Sequence, residues 1–214
     1  MFFPDFKTAY EFGKQAEQLY EESYRKLFVK KGYTYHYDVR AMRPFRMIDV
    51  DFVESKVPLD LSTEIKQLDI VCNTGVHTDS KLKNADYYFV EVKNDSRTHE
   101  TGNFVLELTA KDKAGWFGNT RADFVAYFLY DESKKEILDH CWIFNTYKVR
   151  EYLGQHCKEI NKRFNKKEEK VYDGMYLHYW TDKGVEDSNC LNILFGVDNM
   201  KNGLGNKLEY EKYK

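Results

Sequence analysis

One stretch of this sequence, residues 86–93 (Asp-Tyr-Tyr-Phe-Val-Glu-Val-Lys), constrains the fold more than any other. Its run of aromatic and β-branched residues predicts a strand in a largely buried sheet. Side chains alternate between the two faces of a strand, so Glu91 and Lys93 project to one side while Val90 and Val92 project to the other. Two charged groups on one face of so apolar a strand are costly to bury unless something compensates for them.

Two interpretations account for Glu91 and Lys93. In the first they form a structural ion pair, which is the common outcome for an isolated Glu-x-Lys tripeptide. In the second, Glu91 and an Asp on another strand form an oxygen site for Mg²⁺, which binds through one or two carboxylates, waters and substrate phosphates. Lys93 would then orient or deprotonate the attacking water and offset the charge that develops on the phosphate.

The rest of the chain shows helical and extended patterns. Residues 5–30 have the spacing of an amphipathic helix that ends at Lys30-Lys31-Gly32, and its apolar stripe includes Tyr10 and, unusually, Glu17. Further segments are predicted to be extended at 33–55, 67–72, 103–108, 122–130, 140–144 and 172–180, and helical at 146–164. This order predicts an α/β domain around a mixed central sheet flanked by helices. We expect a core over residues 1–145 and a less regular, partly helical C-terminal extension packed on it over residues 146–214.

The charge balance restricts the class of protein. With 33 basic and 35 acidic residues the net charge is −2, which argues against a nonspecific nucleic-acid coat protein. Basic residues are nevertheless concentrated locally: residues 145–170 carry eight Lys or Arg against four Glu, and residues 201–214 carry four Lys against two Glu. Either stretch could line a phosphate backbone, and a solvated helix face is the alternative for each.

Cysteine usage and hydropathy indicate the compartment. The four cysteines (Cys72, Cys141, Cys157, Cys190) include no C-x-x-C pair, which argues against a zinc ribbon. No stretch approaches the length of a membrane span, and the charged N-terminal segment does not look like a signal peptide. The sequence therefore predicts a reduced, cytoplasmic protein with no membrane partner.

Several short motifs follow one another in an order that is more specific than any one of them. They are Gly13-Lys-Gln-Ala-Glu17, Asp38-Val-Arg40, Ile48-Asp-Val-Asp-Phe52, Val90-Glu-Val-Lys-Asn-Asp95, His99-Glu-Thr-Gly-Asn103 with Glu107, Gly115-Trp116 and Thr120-Arg-Ala-Asp123. In this order, residues 10–130 resemble the PD-(D/E)xK nuclease superfamily, in particular its phage and bacterial members. The resemblance implies a restriction-endonuclease-like core.

The resemblance also implies roles for individual residues. Glu91 would ligate the metal ion, Lys93 would serve the water or the transition state, and Glu17 would be the glutamate of the first helix. Asn103 and Glu107 would lie near the site, although Glu107 could instead be an ordinary carboxylate on a strand face. The implied cofactor is Mg²⁺ or Mn²⁺, the implied partner is DNA, and a homodimer that cuts two strands is the implied assembly.

The catalytic Asp has two candidates. Asp51 matches the local motif of the phage-like members best, and Asp49 is expected on the same strand face, but Asp51 precedes Glu91 by 40 residues where a short hairpin is usual. Asp69, in Leu-Asp-Ile-Val, resembles the pattern of archaeal Holliday-junction resolvases and precedes Glu91 by 22 residues. The motif favours Asp51, and Asp69 remains the alternative.

Four further residues are candidates for substrate contacts, each with a structural alternative. His99 could contact phosphate or the leaving group, or be a loop histidine without a role in binding. Trp116 could stack on a base or pack beneath a turn. Lys113 and Arg121 could face phosphate or solvent.

These observations support two functions. The first is a metal-dependent endonuclease that hydrolyses DNA phosphodiester bonds with a metal-activated water. The second is a non-catalytic protein on the same fold, either a DNA-binding module or an accessory or inhibitor protein of a mobile element. A ligand-binding α/β protein whose Glu–Lys pair is structural ranks below both.

Overall fold

The computed structural model describes residues 6–61, 86–95, 98–110, 113–131, 133–134, 136–166, 170–172, 175–180, 190–196 and 211–213. Within these residues the protein is a mixed α/β structure with two sheets. The strand predicted at 67–72, which carries Asp69, lies outside the described residues.

The N-terminal helical region is interrupted by one wider turn. Helix α1 (Phe6–Leu19) continues into a π-helical turn (Tyr20–Tyr24) and then helix α2 (Lys26–Lys30). The widening is visible where the backbone N–H of Arg25 donates to the Tyr20 carbonyl at 2.9 Å, a five-residue step. The predicted stop is confirmed, because Gly32 has a φ of +91°.

The buried face of this helical region differs from the predicted stripe. Its buried side chains recur at steps of four: Phe12, Ala16, Tyr20, Tyr24 and Phe28. Tyr10, which the stripe included, is 56% exposed, and Glu17 is partly exposed beside the buried face. A repeat of four drifts around an ordinary α-helix of 3.6 residues per turn, and the π-helical turn offsets that drift.

A buried carboxylate joins the π-helical turn to the sheet. Glu54 is fully buried and its Oε1 accepts a hydrogen bond from the Tyr20 hydroxyl at 2.9 Å, while His36 Nδ1 lies 2.8 Å from the same oxygen. Arg25 Nε lies 3.6 Å from the second oxygen. The charge of Glu54 is therefore compensated on the helix side of the sheet, away from Glu91.

The first sheet has six strands in the order β1-β2-β3-β6-β7-β11. These strands are β1 (Tyr35–Asp38), β2 (Phe52–Ser55), β3 (Tyr87–Asp95), β6 (Phe124–Asp131), β7 (Glu136–Asn145) and β11 (Glu211–Tyr213). Among the described strands of this sheet, the central pair β3–β6 is parallel and the other pairs are antiparallel. The mixed sheet is confirmed, and the strand with Glu91 and Lys93 lies at its centre.

The segment predicted to be extended throughout residues 33–55 contains a helical turn. Between β1 and β2 the chain forms α3 (Arg43–Arg46), with a proline in its first turn and Phe45 fully buried. Proline has the φ of a helix start and cannot donate to a strand ladder, so a continuous strand through this segment is disfavoured. The extended prediction was wrong for the turn at residues 40–41, for α3, and for the turn at residues 47–49.

The second sheet has five antiparallel strands in the order β5-β4-β10-β9-β8. Strands β4 (Asn103–Ala110) and β5 (Lys113–Ala114) come from the middle of the chain. Strands β8 (Lys170–Tyr172), β9 (Met175–Trp180) and β10 (Cys190–Gly196) come from its C-terminal part. Two short helices complete the middle segment, α4 (Thr98–Thr101) and α5 (Trp116–Asn119).

The helix predicted at 146–164 is two helices, α6 (Thr146–Gln155) and α7 (Cys157–Lys166). The Asn145 side chain caps α6 by accepting hydrogen bonds from the backbone N–H groups of Tyr147 and Lys148. In the part of the 146–214 segment that the structure describes, two strands pair with strands remote in the chain: β10 with β4, and β11 with β7. Local sequence patterns do not reveal such partners.

Opposite faces of the first sheet pack against different elements. The face that carries Val90 and Val92 packs against the N-terminal helical region. On the other face, Phe89 belongs to a cluster with Phe45 and Val50, whereas Val125 and Tyr127 belong to a larger cluster that includes residues of β4, β9 and β10. Glu91 and Lys93 follow Phe89 on this second face, where the two clusters meet.

None of the described helices is long and apolar enough to span a bilayer.

Candidate active site

Strand β3 presents Glu91 and Lys93 as predicted, side by side on one face. Lys93 Nζ lies 2.5 Å from Glu91 Oε1. Glu91 is 3% exposed, whereas 27% of the Lys93 side chain is accessible to solvent. The second carboxylate oxygen, Glu91 Oε2, is buried and has no hydrogen-bond partner among the described residues. Such an oxygen is a free ligand position in an otherwise enclosed site.

Asp51 is held against β3 beside this pair. It lies immediately before β2, and its backbone N–H donates to the Val90 carbonyl at 3.0 Å. Its Oδ2 accepts a hydrogen bond of 2.8 Å from the backbone N–H of Val92. These two bonds attach Asp51 to the residues on either side of Glu91, although 40 positions separate the two acids in the chain.

The three groups perturb one another's ionisation. Burial raises the pKa of Asp51 to about 6, opposed by the hydrogen bond from Val92 and by the charge of Lys93. Burial also raises the pKa of Glu91 above its ordinary value, Lys93 lowers it, and the charge of Asp51 raises it further. Burial disfavours the charged ammonium of Lys93, but the neighbouring carboxylates outweigh it, so the net pKa of Lys93 is raised. The site is thus a lysine cation between two partly desolvated acids.

Asp49 is not on a strand, contrary to the expectation that it shares a strand face with Asp51. It has a φ of +46°, in the left-handed region that a non-glycine residue seldom occupies. Its Oδ2 accepts a hydrogen bond from Asn119 Nδ2 at 2.8 Å, and its carbonyl accepts one from Thr120 Oγ1 at 2.7 Å. Its charge acts on both Glu91 and Lys93. Asp49 therefore joins the segment before Asp51 to the C-terminal end of α5.

Glu17 belongs to a neighbouring ion-pair cluster around Arg40. The guanidinium of Arg40 lies 2.5 Å from Glu17 Oε2, and it also pairs with Asp38. It stacks over the Phe52 ring, 4.7 Å from the centroid. The charge of Glu17 raises the pKa of Asp51 and that of Arg40 lowers it, after the larger effect of burial. The carboxylate in the helical stripe is thus compensated by Arg40, whose partnership with Glu17 across 23 positions no local sequence pattern reveals.

Trp116 supports Lys93 from the adjacent helix. Its ring packs partly buried against the largest core cluster, and Lys93 Nζ lies 5.5 Å from the ring centroid, a cation–π distance. Glu107 Oε1 accepts a hydrogen bond from the backbone N–H of Trp116 at 3.3 Å. Glu107 thus holds the start of α5, and base stacking by Trp116 stays a prediction.

The remaining predicted site residues lie on other elements or outside the described residues. Asn103 begins β4, where its side chain bonds to the Thr101 carbonyl at 3.2 Å. Lys113 is exposed on β5, and the backbone N–H of Arg121 donates to the Ile48 carbonyl at 2.8 Å. His99 lies in α4, with a side chain outside the described part, and Asp69 lies outside it altogether.

The arrangement limits which residues could hold a cation. In the described ranges there is no group of three or more His, Cys, Asp or Glu side chains placed to hold a metal ion. The candidates are therefore a pair, Asp51 and Glu91, and a two-carboxylate site suits Mg²⁺, which keeps several waters.

Comparisons with family models, with curated proteins and with solved structures found no match.

Proposed function

We propose that this protein is a metal-dependent endonuclease that hydrolyses phosphodiester bonds of DNA. The observation that carries the proposal is the buried Oε2 of Glu91, which has no hydrogen-bond partner among the described residues although Asp51 is held beside it. A buried polar atom without a partner costs about 1–3 kcal/mol. A cation shared by Asp51 and Glu91 would remove that cost.

The donor set suits Mg²⁺ or Mn²⁺. Both ligands are carboxylates, the atom type these hard cations prefer, and Mg²⁺ commonly binds through one or two carboxylates together with substrate phosphates. When bound, the cation would supply Lewis-acid polarisation of the phosphate and lower the pKa of water.

Lys93 contributes a fixed positive charge. Its raised pKa keeps it protonated at neutral pH, so it is suited to stabilising negative charge on the phosphate rather than to accepting a proton. Its partial exposure leaves the ammonium accessible to a substrate, while Glu91 and the Trp116 ring restrict its position. We assign Lys93 to charge stabilisation.

Asp51 is the acid that completes the site in this proposal. Its hydrogen bond to the backbone of β3 sets its carboxylate next to Glu91 and Lys93. The order of a helix, a hairpin and a central strand paired in parallel with β6 is compatible with the restriction-endonuclease-like core that the resemblance implies. Asp69 remains a prediction outside the described residues.

A second candidate function is a non-catalytic DNA-binding or accessory protein on this fold. The observation that favours it is the direct contact of Lys93 with Glu91 Oε1, because a purely structural ion pair has the same geometry. The two functions differ in whether phosphodiester bonds are cut.

Cleavage of supercoiled plasmid and of a branched oligonucleotide in Mg²⁺, Mn²⁺ or EDTA distinguishes them. We expect nicking with either metal and none with EDTA. Removing a preorganised charge costs about 10²–10³ in rate, so Glu91→Gln, Asp51→Asn and Lys93→Met should each reduce cleavage at least that much. Lys30→Ala, which removes an exposed lysine at the end of α2, is the control for a nonspecific loss of charge.

Wild-type protein that is folded and cuts neither substrate would refute the nuclease and favour the second candidate. Cleavage that persists in Asp51→Asn but is lost in Asp69→Asn would keep the nuclease and replace Asp51 by Asp69.

A further inference from the structure

The segment that leads into the candidate site is unusually basic. Residues 40–47, Arg-Ala-Met-Arg-Pro-Phe-Arg-Met, contain three arginines and no acidic residue, in a protein whose net charge is −2. Arg40 is engaged by Glu17 and Asp38. Arg43 and Arg46, at the two ends of α3, are exposed and form no ion pair with any residue in the described ranges. Their positive charge is available to an external partner.

The position of α3 is fixed by packing. Phe45, between the two arginines, is fully buried and its ring lies edge-on to Phe89 at 5.8 Å between centroids. Phe89 is two residues before Glu91 and points to the same face of β3. The exposed arginines are therefore carried by a turn that is anchored on the strand of the candidate site.

Hydrogen bonds fix the end of the segment as well. Asn119 Nδ2 donates to the Met47 carbonyl at 2.9 Å, and the backbone N–H of Arg121 donates to the Ile48 carbonyl at 2.8 Å. Met47 itself is 64% exposed, beside Arg46. A segment held at both ends loses little conformational entropy when it binds a ligand.

We propose that Arg43 and Arg46 form a surface that binds the sugar-phosphate backbone of DNA and delivers it to Asp51 and Glu91. The inference rests on the proposed function for its substrate. Arginine forms two parallel hydrogen bonds to a phosphate, and adjacent phosphates of one strand present a row of such acceptors. Because the protein as a whole is slightly acidic, binding must come from a local cationic surface of this kind.

The test is binding of a fluorescein-labelled duplex, followed by anisotropy in EDTA over a range of salt concentrations, so that cleavage plays no part. Arg43→Ala/Arg46→Ala is compared with Lys30→Ala/Lys31→Ala, which removes the same charge from two exposed lysines at the end of α2. That helix packs on the opposite face of the sheet. Arg43→Lys/Arg46→Lys keeps the charge and removes the two-pronged hydrogen bonding.

We expect Arg43→Ala/Arg46→Ala to bind the duplex roughly 10- to 100-fold more weakly than wild type. The plot of log K against log salt should become less steep by about 2, since each phosphate contact contributes about 0.9 to the magnitude of the slope. The lysine control should keep the wild-type slope, and the Arg→Lys variant should keep the slope with reduced affinity. Both arginines are exposed, so the urea midpoint should not change.

The two proposals fail separately. If wild-type protein binds DNA through these arginines but cuts nothing in Mg²⁺, the surface stands and the nuclease does not. If the double variant binds and cuts as wild type does, the surface is refuted while the nuclease stands. Equal losses of DNA affinity in Arg43→Ala/Arg46→Ala and in Lys30→Ala/Lys31→Ala would also refute the proposed surface, because binding would then depend on the total charge of the protein.

Discussion

Asp49 and Asp51 are two positions apart in the chain and have different roles in the structure. Asp51 extends its carboxylate to the backbone of β3, next to Glu91. Asp49 occupies the left-handed region and is retained there by Asn119 and Thr120. Strained backbone of this kind is concentrated at functional sites, where the surrounding contacts hold it in place. Asp49 thus helps to position Asp51.

The backbone at Asp49 leads to a prediction about stability. Asp49→Gly and Asp49→Ala both lose the hydrogen bond from Asn119, but only alanine keeps a Cβ at a φ of +46°. We expect Asp49→Gly to be more stable than Asp49→Ala by about 1 kcal/mol in urea unfolding. At an ordinary right-handed position alanine is the more stable by roughly 0.5–1 kcal/mol, so a higher stability of the alanine variant would contradict the left-handed assignment.

Asp123 makes the stability of the protein depend on pH. Its Oδ2 accepts a hydrogen bond from the backbone N–H of Phe89 at 2.8 Å, and burial raises its pKa to about 7. The folded pKa thus exceeds the unfolded value of about 3.9. Asp123 therefore makes its full contribution to the free energy of unfolding below about pH 4, and this contribution is lost as pH rises through about 7.

Asp123→Asn keeps an acceptor for Phe89 and removes the ionisation. We expect wild type to lose about 2 kcal/mol more than the variant between pH 5 and pH 7.5, measured by urea unfolding. Comparing the two proteins at both pH values cancels the contributions of Asp51 and Glu91, which have the same sign. Equal pH dependence in both proteins would show that Asp123 does not titrate in this range.

At the scale of elements, the contact between α5 and β4 determines where Trp116 lies relative to Lys93. Two glycines allow this contact. A Cβ on Gly115 would lie 2.6 Å from the Glu107 carbonyl oxygen, and a Cβ on Gly118 would lie 2.6 Å from the Leu108 carbonyl oxygen. Because both obstacles are backbone atoms, the helix would have to move away from the strand.

Gly115→Ala should therefore destabilise the protein by about 1–3 kcal/mol. It should also reduce cleavage by more than the loss of folded protein explains, because α5 carries the Trp116 ring beneath Lys93. Gly154→Ala is the matched control, since a Cβ at this position in α6 would have no atom of another described element within 4 Å. That substitution should stabilise the protein by roughly 0.5–1 kcal/mol. The measurements are urea unfolding and plasmid nicking, and a neutral effect of Gly115→Ala would contradict the close contact.

At the scale of the whole molecule, the second sheet is assembled from distant parts of the chain. Strand β10 pairs with β4, and the largest core cluster contains residues of both, among them Phe104 and Phe195. The ring of Phe104 also packs against Trp142 of β7. The C-terminal strands thus contribute to the same core as the first sheet.

Phe195→Ala should consequently destabilise the whole protein by about 3–5 kcal/mol in a single unfolding transition. Phe195 is 2% exposed, whereas Phe164 on α7 is 43% exposed, so Phe164→Ala should change stability by less than about 1 kcal/mol. Circular dichroism and tryptophan fluorescence should report the same midpoint. Two separate transitions would instead indicate that the C-terminal strands unfold independently.

Local sequence was sufficient to predict several elements, because their side-chain pattern reports burial directly. The alternation in residues 86–93 predicted β3 and the shared face of Glu91 and Lys93. Gly32 after two lysines predicted the end of the N-terminal helical region. A hydrophobic repeat of two residues in a strand, or of about four in a helix, can be read from a few consecutive positions. The same is true of a glycine that allows a positive φ.

The partners of those elements depended on tertiary structure. The parallel pairing of β3 with β6, the pairing of Glu17 with Arg40, and the bond from Val92 to Asp51 each join residues far apart in the chain. The sequence by itself determined that a carboxylate and a lysine share one face of a buried strand. Only the folded chain decided that Asp51 lies beside them, because that proximity is made by backbone hydrogen bonds between strands, which no pattern of neighbouring side chains encodes.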